Sequence, residues 1–156
     1  MIPRTPIHIK ANGLIVDYAL NQLASENLPA YDLVITSGYR TPAYNATLPG
    51  AAEDSAHIYN LARDFTLRNR ASGQIVSDAQ LKAVYEQYVK PNWPGYSYFS
   101  PKEPHTNTGW IHVNLDRKIS KSTAIAAYGI AAVGAGFFFK KYLLPKILKY
   151  MKERKA

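Results

Sequence analysis

Residues 123–139 (TAIAAYGIAAVGAGFFF) run for seventeen positions without a charge, and no other feature divides the chain so sharply. As a helix the run is roughly 25 Å long at about 1.5 Å per residue, a little short of the ~30 Å hydrocarbon layer of a bilayer. Lys140 and Lys141 can snorkel, so that Tyr142, Leu143 and Leu144 complete a transmembrane helix over 123–144. Gly129, Gly134 and Gly136 suit that reading, because glycine is commoner in membrane helices than in soluble ones. The competing expectation is an apolar helix packed against the rest of the chain.

Charge follows the same division. Of the formal +8, residues 1–118 contribute +1 from 11 Lys/Arg and 10 Asp/Glu, and residues 119–156 contribute +7 from 8 Lys/Arg and one Glu. The basicity therefore belongs to the tail, which is suited to anionic lipid or nucleic acid, and not to the part that folds. Seven Lys/Arg follow the apolar run, against Arg117, Lys118 and Lys121 before it, so the positive-inside rule puts the C-terminus inside and the rest of the chain outside. The opening MIPRTPIHIKANG has neither an apolar core nor a small-residue cleavage site, and does not read as a secretory signal.

Periodicity in residues 1–118 predicts helices mixed with short strands. Ile7 to Lys10 is expected as a short strand, followed by a helix from about Gly13 to Asn27 with Asn12 as N-cap and Leu14, Ile15, Tyr18, Ala19 and Leu23 along its apolar stripe. DLVITS (32–37) and ARDFTL (62–67) read as strands. Ser77 and Gln80 form a capping-box pattern that opens a helix to about Val89, which Pro91, Pro94 and Gly95 then break. Two stretches lack a period and read as loops: residues 38–57 and the aromatic NWPGYSYFSPKEPHTNT (92–108). GWIHVNL (109–115) alternates, with Ile111, Val113 and Leu115 on one side and Trp110, His112 and Asn114 on the other. The expected fold class is α+β, with a small, mainly antiparallel sheet.

With no cysteine in the chain, any metal must be held by imidazoles and carboxylates. A hydrolytic zinc site needs three such ligands and an open position for water. His57, Asp64 seven residues on, and His112 in a later strand can supply them, although a lone histidine is more often a hydrogen-bonded structural residue. Asp64 in mid-strand is the better sign, because a buried carboxylate needs a cation or donors.

Three blocks in order, ITSGYRTPAYN (35–45), GAAEDSAHIYNLARDFTL (50–67) and GWIHVNL (109–115), resemble the zinc D-Ala-D-Ala carboxypeptidase and L-alanyl-D-glutamate endopeptidase family. VanY-type enzymes belong to that family, and the hedgehog signalling domain is structurally related to it. The resemblance spans roughly residues 10–118 and implies a hedgehog-like peptidase domain over 1–118. A linker at 119–122, the transmembrane helix at 123–144 and a basic tail at 145–156 then complete the chain. The pattern S-x-H-x-x-G-x-A-x-D falls on Ser55, His57, Ala62 and Asp64, and the late W-x-H on Trp110 and His112. The resemblance thus implies Zn²⁺ on His57, Asp64 and His112. It implies a substrate-binding role for Arg40, whose guanidinium also suits the charge developing on the attacked carbonyl, with Ser55, Tyr39 and Trp110 beside it.

Two departures qualify the resemblance. The glycine of H-x-x-G is Asn60 here, the non-glycine residue that best tolerates a left-handed backbone. The general base usual shortly before the last ligand is missing, and Asn114 stands where many relatives carry Asp. His105, then Glu103, are the candidates for that role, with Asp116 a remote third. The expected function is a membrane-anchored zinc peptidase acting on peptidoglycan stem peptides, in a bacterial envelope or the membrane of a lipid-containing phage virion. The alternative is a catalytically inactive zinc-bound module that recognises cell-wall peptide or a protein partner. Oligomeric state is left undetermined.

Overall fold

Alternation along the strand Ala62–Asn69 organises the molecule, because Phe65 and Leu67 face a core on one side while Asp64 faces the other way. The computed structural model describes residues 6–103 and 106–115. Four strands, β1 (Tyr31–Ser37), β2 (Ala62–Asn69), β3 (Tyr96–Ser100) and β4 (Trp110–Asn114), form an antiparallel sheet of order β1-β2-β4-β3. The expected α+β class with a small antiparallel sheet is what forms. The predicted transmembrane helix and basic tail lie outside the described residues, among which no helix is long and apolar enough to cross a membrane.

Helix α1 (Pro6–Asn27) packs on the core face of the sheet through Ile15, Val16, Ala19, Leu20 and Leu23. Three expectations are corrected here. Residues 7–10 are the first turns of α1 and not a strand: Pro6 stands at the first helical position, where its fixed φ suits the helix and its missing N–H costs nothing. Asn12 is not a cap but a buried interior residue whose Nδ2 donates to the Tyr59 carbonyl at 2.9 Å. The buried stripe is rotated from the expected one, with Val16 and Leu20 inside and Leu14 59% exposed.

Helix α2 (Pro42–Ala46) gives the first loop its one regular turn, capped by the Thr41 hydroxyl. Helix α3 (Asp78–Val84) opens on the Ser77–Gln80 capping box as expected. Pro91 does not end the helical path: a wide turn, Tyr85–Val89, carries the chain into a last turn, α4 (Lys90–Asn92). Leu81, Val84, Val89 and Trp93 join Ile111, Val113 and Leu115 in the core.

Strand β3 was expected as loop. Its residues pair with β4 from Tyr96↔Asn114 to Ser100↔Trp110, and Gly95 makes the approach possible because a Cβ there would collide with the Asn114 carbonyl. Flanking Pro, Gly and Ser conceal a five-residue edge strand whose tyrosines stay partly exposed. Phe65→Ala, at the fully buried centre of β2, is expected to cost about 3–5 kcal/mol. Denaturant unfolding of the detergent-solubilised chain measures it.

Candidate metal centre

Strand register brings the first two candidate ligands together: Asp64 on β2 and His112 on β4 are directly paired. His57 arrives from a 3-10 turn, Ala56–Tyr59, just before β2. The Ser55 hydroxyl caps that turn by accepting from the His57 N–H at 3.3 Å, and Asn60 ends it in the left-handed region at φ 56°. Asn60 is the one non-glycine residue with positive φ among those described, so it meets the conformational demand of the glycine it replaces. It also adds bonds glycine lacks: Nδ2 donates to the Ile9 carbonyl at 2.9 Å, and Oδ1 accepts from Arg63 at 2.7 Å. Arg63, the residue before Asp64, points to α1 and pairs with Asp17, so consecutive residues of β2 anchor a helix and build a site.

Three lone-pair donors converge. Asp64 Oδ1 lies 2.7 Å from His112 Nδ1 and Asp64 Oδ2 lies 3.3 Å from His57 Nε2, and the candidate donor atoms all fall within 4.8 Å of one another. Each imidazole has a second acceptor on its outer side, the Gly38 carbonyl 2.6 Å from His57 Nδ1 and the Asn114 Oδ1 3.2 Å from His112 Nε2. When those outer acceptors take the N–H groups, both inner nitrogens present lone pairs to a carboxylate. Only a cation between them, a metal or shared protons, reconciles that arrangement. The N,N,O set and its outer hydrogen bonds fit zinc, whose imidazole ligands need their far nitrogen held.

Burial acts to raise the Asp64 carboxyl, but hydrogen bonds from His112 and His57 and the charges of both rings outweigh it and hold Asp64 well below the usual carboxylate range. Arg40 adds a 3.1 Å bond to Asp64 Oδ2 and is itself fixed by two bonds to the Ser37 hydroxyl, at 2.8 and 3.1 Å. The Arg40 N–H also donates to the His57 carbonyl at 3.2 Å, tying the first loop to the histidine turn.

A cleft of about 690 Å³ opens over this cluster. Arg40, Ser55, Glu103 and Trp110 line it together with His57, Asp64 and His112. Tyr39, exposed beside Arg40 in sequence, is not among the lining residues, while His105 and Asp116 lie outside the described residues. The sequence reading did not assign the roles of four further contributors. Tyr98, on the strand taken for loop, stacks on His112 with ring centroids 4.8 Å apart. Burial and the nearby Asp64 charge push its phenol above its ordinary value, so it enters the cleft as a neutral group. Ser37, the Gly38 carbonyl and the Asn114 amide act on Arg40 and the histidines, and short-range pattern alone carries no signal for such contacts.

The described fold is an α+β domain whose paired strands and capped turn converge two imidazoles and a carboxylate, a set that could hold a metal ion. Residues 18–92 match the family model described as Peptidase M15, a stretch that contains Arg40, His57 and Asp64 and ends before Glu103, Trp110 and His112. Over that stretch the chain is similar to the M15 peptidases, a family of zinc peptidases. No curated protein and no solved structure matches it.

Removing a donor should remove the metal. His57→Ala and His112→Ala are each expected to weaken zinc binding at least ~100-fold by calorimetric titration, since two donors replace three. In the metal-free protein, a carboxyl depressed by folding stabilises above about pH 4, its unfolded value, and that contribution is lost as pH falls through the lower folded value. The acid limb of stability against pH should therefore be flatter in Asp64→Asn than in the wild type.

Proposed function

We propose that the chain is a zinc peptidase that cleaves stem peptides of peptidoglycan, carrying its catalytic domain on the outer side of a membrane. The observation behind this reading is the sharing of one cleft by His57, Asp64, His112, Arg40 and the acidic side chain of Glu103, in a chain similar to the M15 peptidases over residues 18–92. Bound zinc supplies Lewis acidity and a water whose pKa drops towards about 7. Arg40 has its guanidinium at the mouth of the cluster, where it can grip a peptide carboxylate or the carbonyl oxygen that gains charge during attack. Glu103 takes the proton of the attacking water and returns it to the amine nitrogen as the C–N bond breaks. His105 is the second candidate for that transfer. Tyr98 and Trp110 wall the cleft and keep bulk water from the reacting bond. The uncharged run at 123–139 and the basic residues after it support the membrane anchor, in a bacterial envelope or a lipid-containing virion.

A second reading, a zinc-bound module that recognises cell-wall peptide without cutting it, is favoured by two observations. None of residues 106–111 carries an acid or imidazole, and Asn114 contributes an amide where many relatives have a carboxylate. Glu103 on the cleft wall argues for catalysis instead.

Mass spectrometry of purified peptidoglycan digested by the zinc-loaded chain distinguishes the two. Shortened stem peptides are expected, with Glu103→Gln lowering kcat at least ~100-fold while zinc stays bound. Intact peptides in the presence of a fully loaded site would sink the peptidase reading and leave the binding module.

A further inference from the structure

The segment between β3 and β4 carries two walls of the cleft, Glu103 and Trp110, and both sit directly after a backbone amide that the same carboxylate holds. Asp78, the first residue of α3, accepts from the Lys102 N–H through Oδ2 at 2.6 Å and from the Gly109 N–H through Oδ1 at 2.9 Å. Lys102 and Gly109 are seven residues apart in sequence, so one side chain closes the neck of the segment. Asp78 does not itself line the cleft. Its position depends on the Ser77 capping box, whose mutual bonds fix the first turn of α3.

Gly109 shows how closely the carboxylate is seated. A Cβ built there would lie 2.8 Å from the Ser100 carbonyl oxygen and 2.9 Å from Asp78 Oδ1, so only glycine lets the amide reach its acceptor. Within the segment, the Glu103 N–H donates to the Thr106 hydroxyl at 2.8 Å and the Thr106 N–H donates to the Glu103 carbonyl at 3.0 Å. The described residues thus form a turn with Glu103 at one corner, clamped at both ends from outside the cleft. A carboxylate accepting two backbone N–H groups makes charge-assisted bonds, roughly twice as strong as neutral ones.

We infer that Asp78 is a positioning residue of the active cleft: by tying both ends of the β3–β4 segment it sets where Glu103 and Trp110 stand over the metal cluster. This rests on the peptidase reading for its catalytic consequence, but not for the clamp. His57, Asp64 and His112 hang on the 3-10 turn, β2 and β4, so zinc binding does not need Asp78.

Hydrogen exchange of the zinc-loaded full chain tests the clamp. In Asp78→Ala, amides of residues 101–110 should exchange at least about tenfold faster while those of 57–66 keep their protection. Asp78→Asn should fall between, because one amide oxygen serves one N–H. Unchanged exchange in 101–110, or a rise spread equally over 57–66, overturns the clamp. For the catalytic consequence, Asp78→Ala should lower kcat/KM about tenfold or more with zinc affinity kept, and by less than about threefold when Glu103 is already Gln. Effects that simply multiply overturn the positioning role. A wild-type chain that cuts nothing refutes the peptidase reading, and exchange alone then decides the clamp.

Discussion

The Asp64 carboxylate is the constraint around which the described structure is arranged. It is nearly buried in the centre of a sheet, where an unpaired charge would cost several kcal/mol, and the fold surrounds it with His112 across the strand pair, His57 from the preceding turn and Arg40 from the first loop. Each of those groups is in turn fixed from behind, by Asn114, by the Gly38 carbonyl and by Ser37. The polar network therefore has two layers. Its inner layer presents two imidazoles and a carboxylate to a shared point, and its outer layer fixes which nitrogen of each imidazole is available to a metal. Such an arrangement is best satisfied by a cation at the shared point, which is the physical reason for proposing a metal ion there.

Strand β2 makes the arrangement possible by facing two ways. Arg63 reaches back to Asp17 and Asn60 and fastens α1 and the histidine turn to the sheet, while the next residue faces the cleft. Asn60 joins the two functions: its left-handed backbone ends the turn that presents His57, and its side chain bonds to the start of α1. The glycine of related sequences would satisfy only the first demand. That departure from the family pattern is thus a local solution in which the side chain takes over part of the packing.

What was legible in the sequence was what short-range pattern encodes. The β-branched run of β1, the alternation of β4 and the Ser77–Gln80 capping box each carry their own signal. Three ordered motifs picked out His57, Asp64 and His112, the same three residues that the strand register and the 3-10 turn bring within 4.8 Å. What stayed hidden was set by contacts distant in sequence. Ile7 and Ile9 look strand-like in isolation, but Pro6 starts a helix that the sheet then holds. Strand β3 is masked by its Gly and Pro neighbours, and with it Tyr98, which stacks on His112. The Asp78 bonds to Lys102 and Gly109 span 24 and 31 residues, and no periodicity announces them.

The proposed site holds zinc on two imidazoles and one carboxylate with a position left for water. Zinc K-edge absorption on the full chain loaded with one equivalent tests it most directly. A four-coordinate shell with two imidazole nitrogens, and nitrogen and oxygen ligands at about 2.0–2.1 Å, is expected. A six-oxygen shell, or a single imidazole, would contradict it.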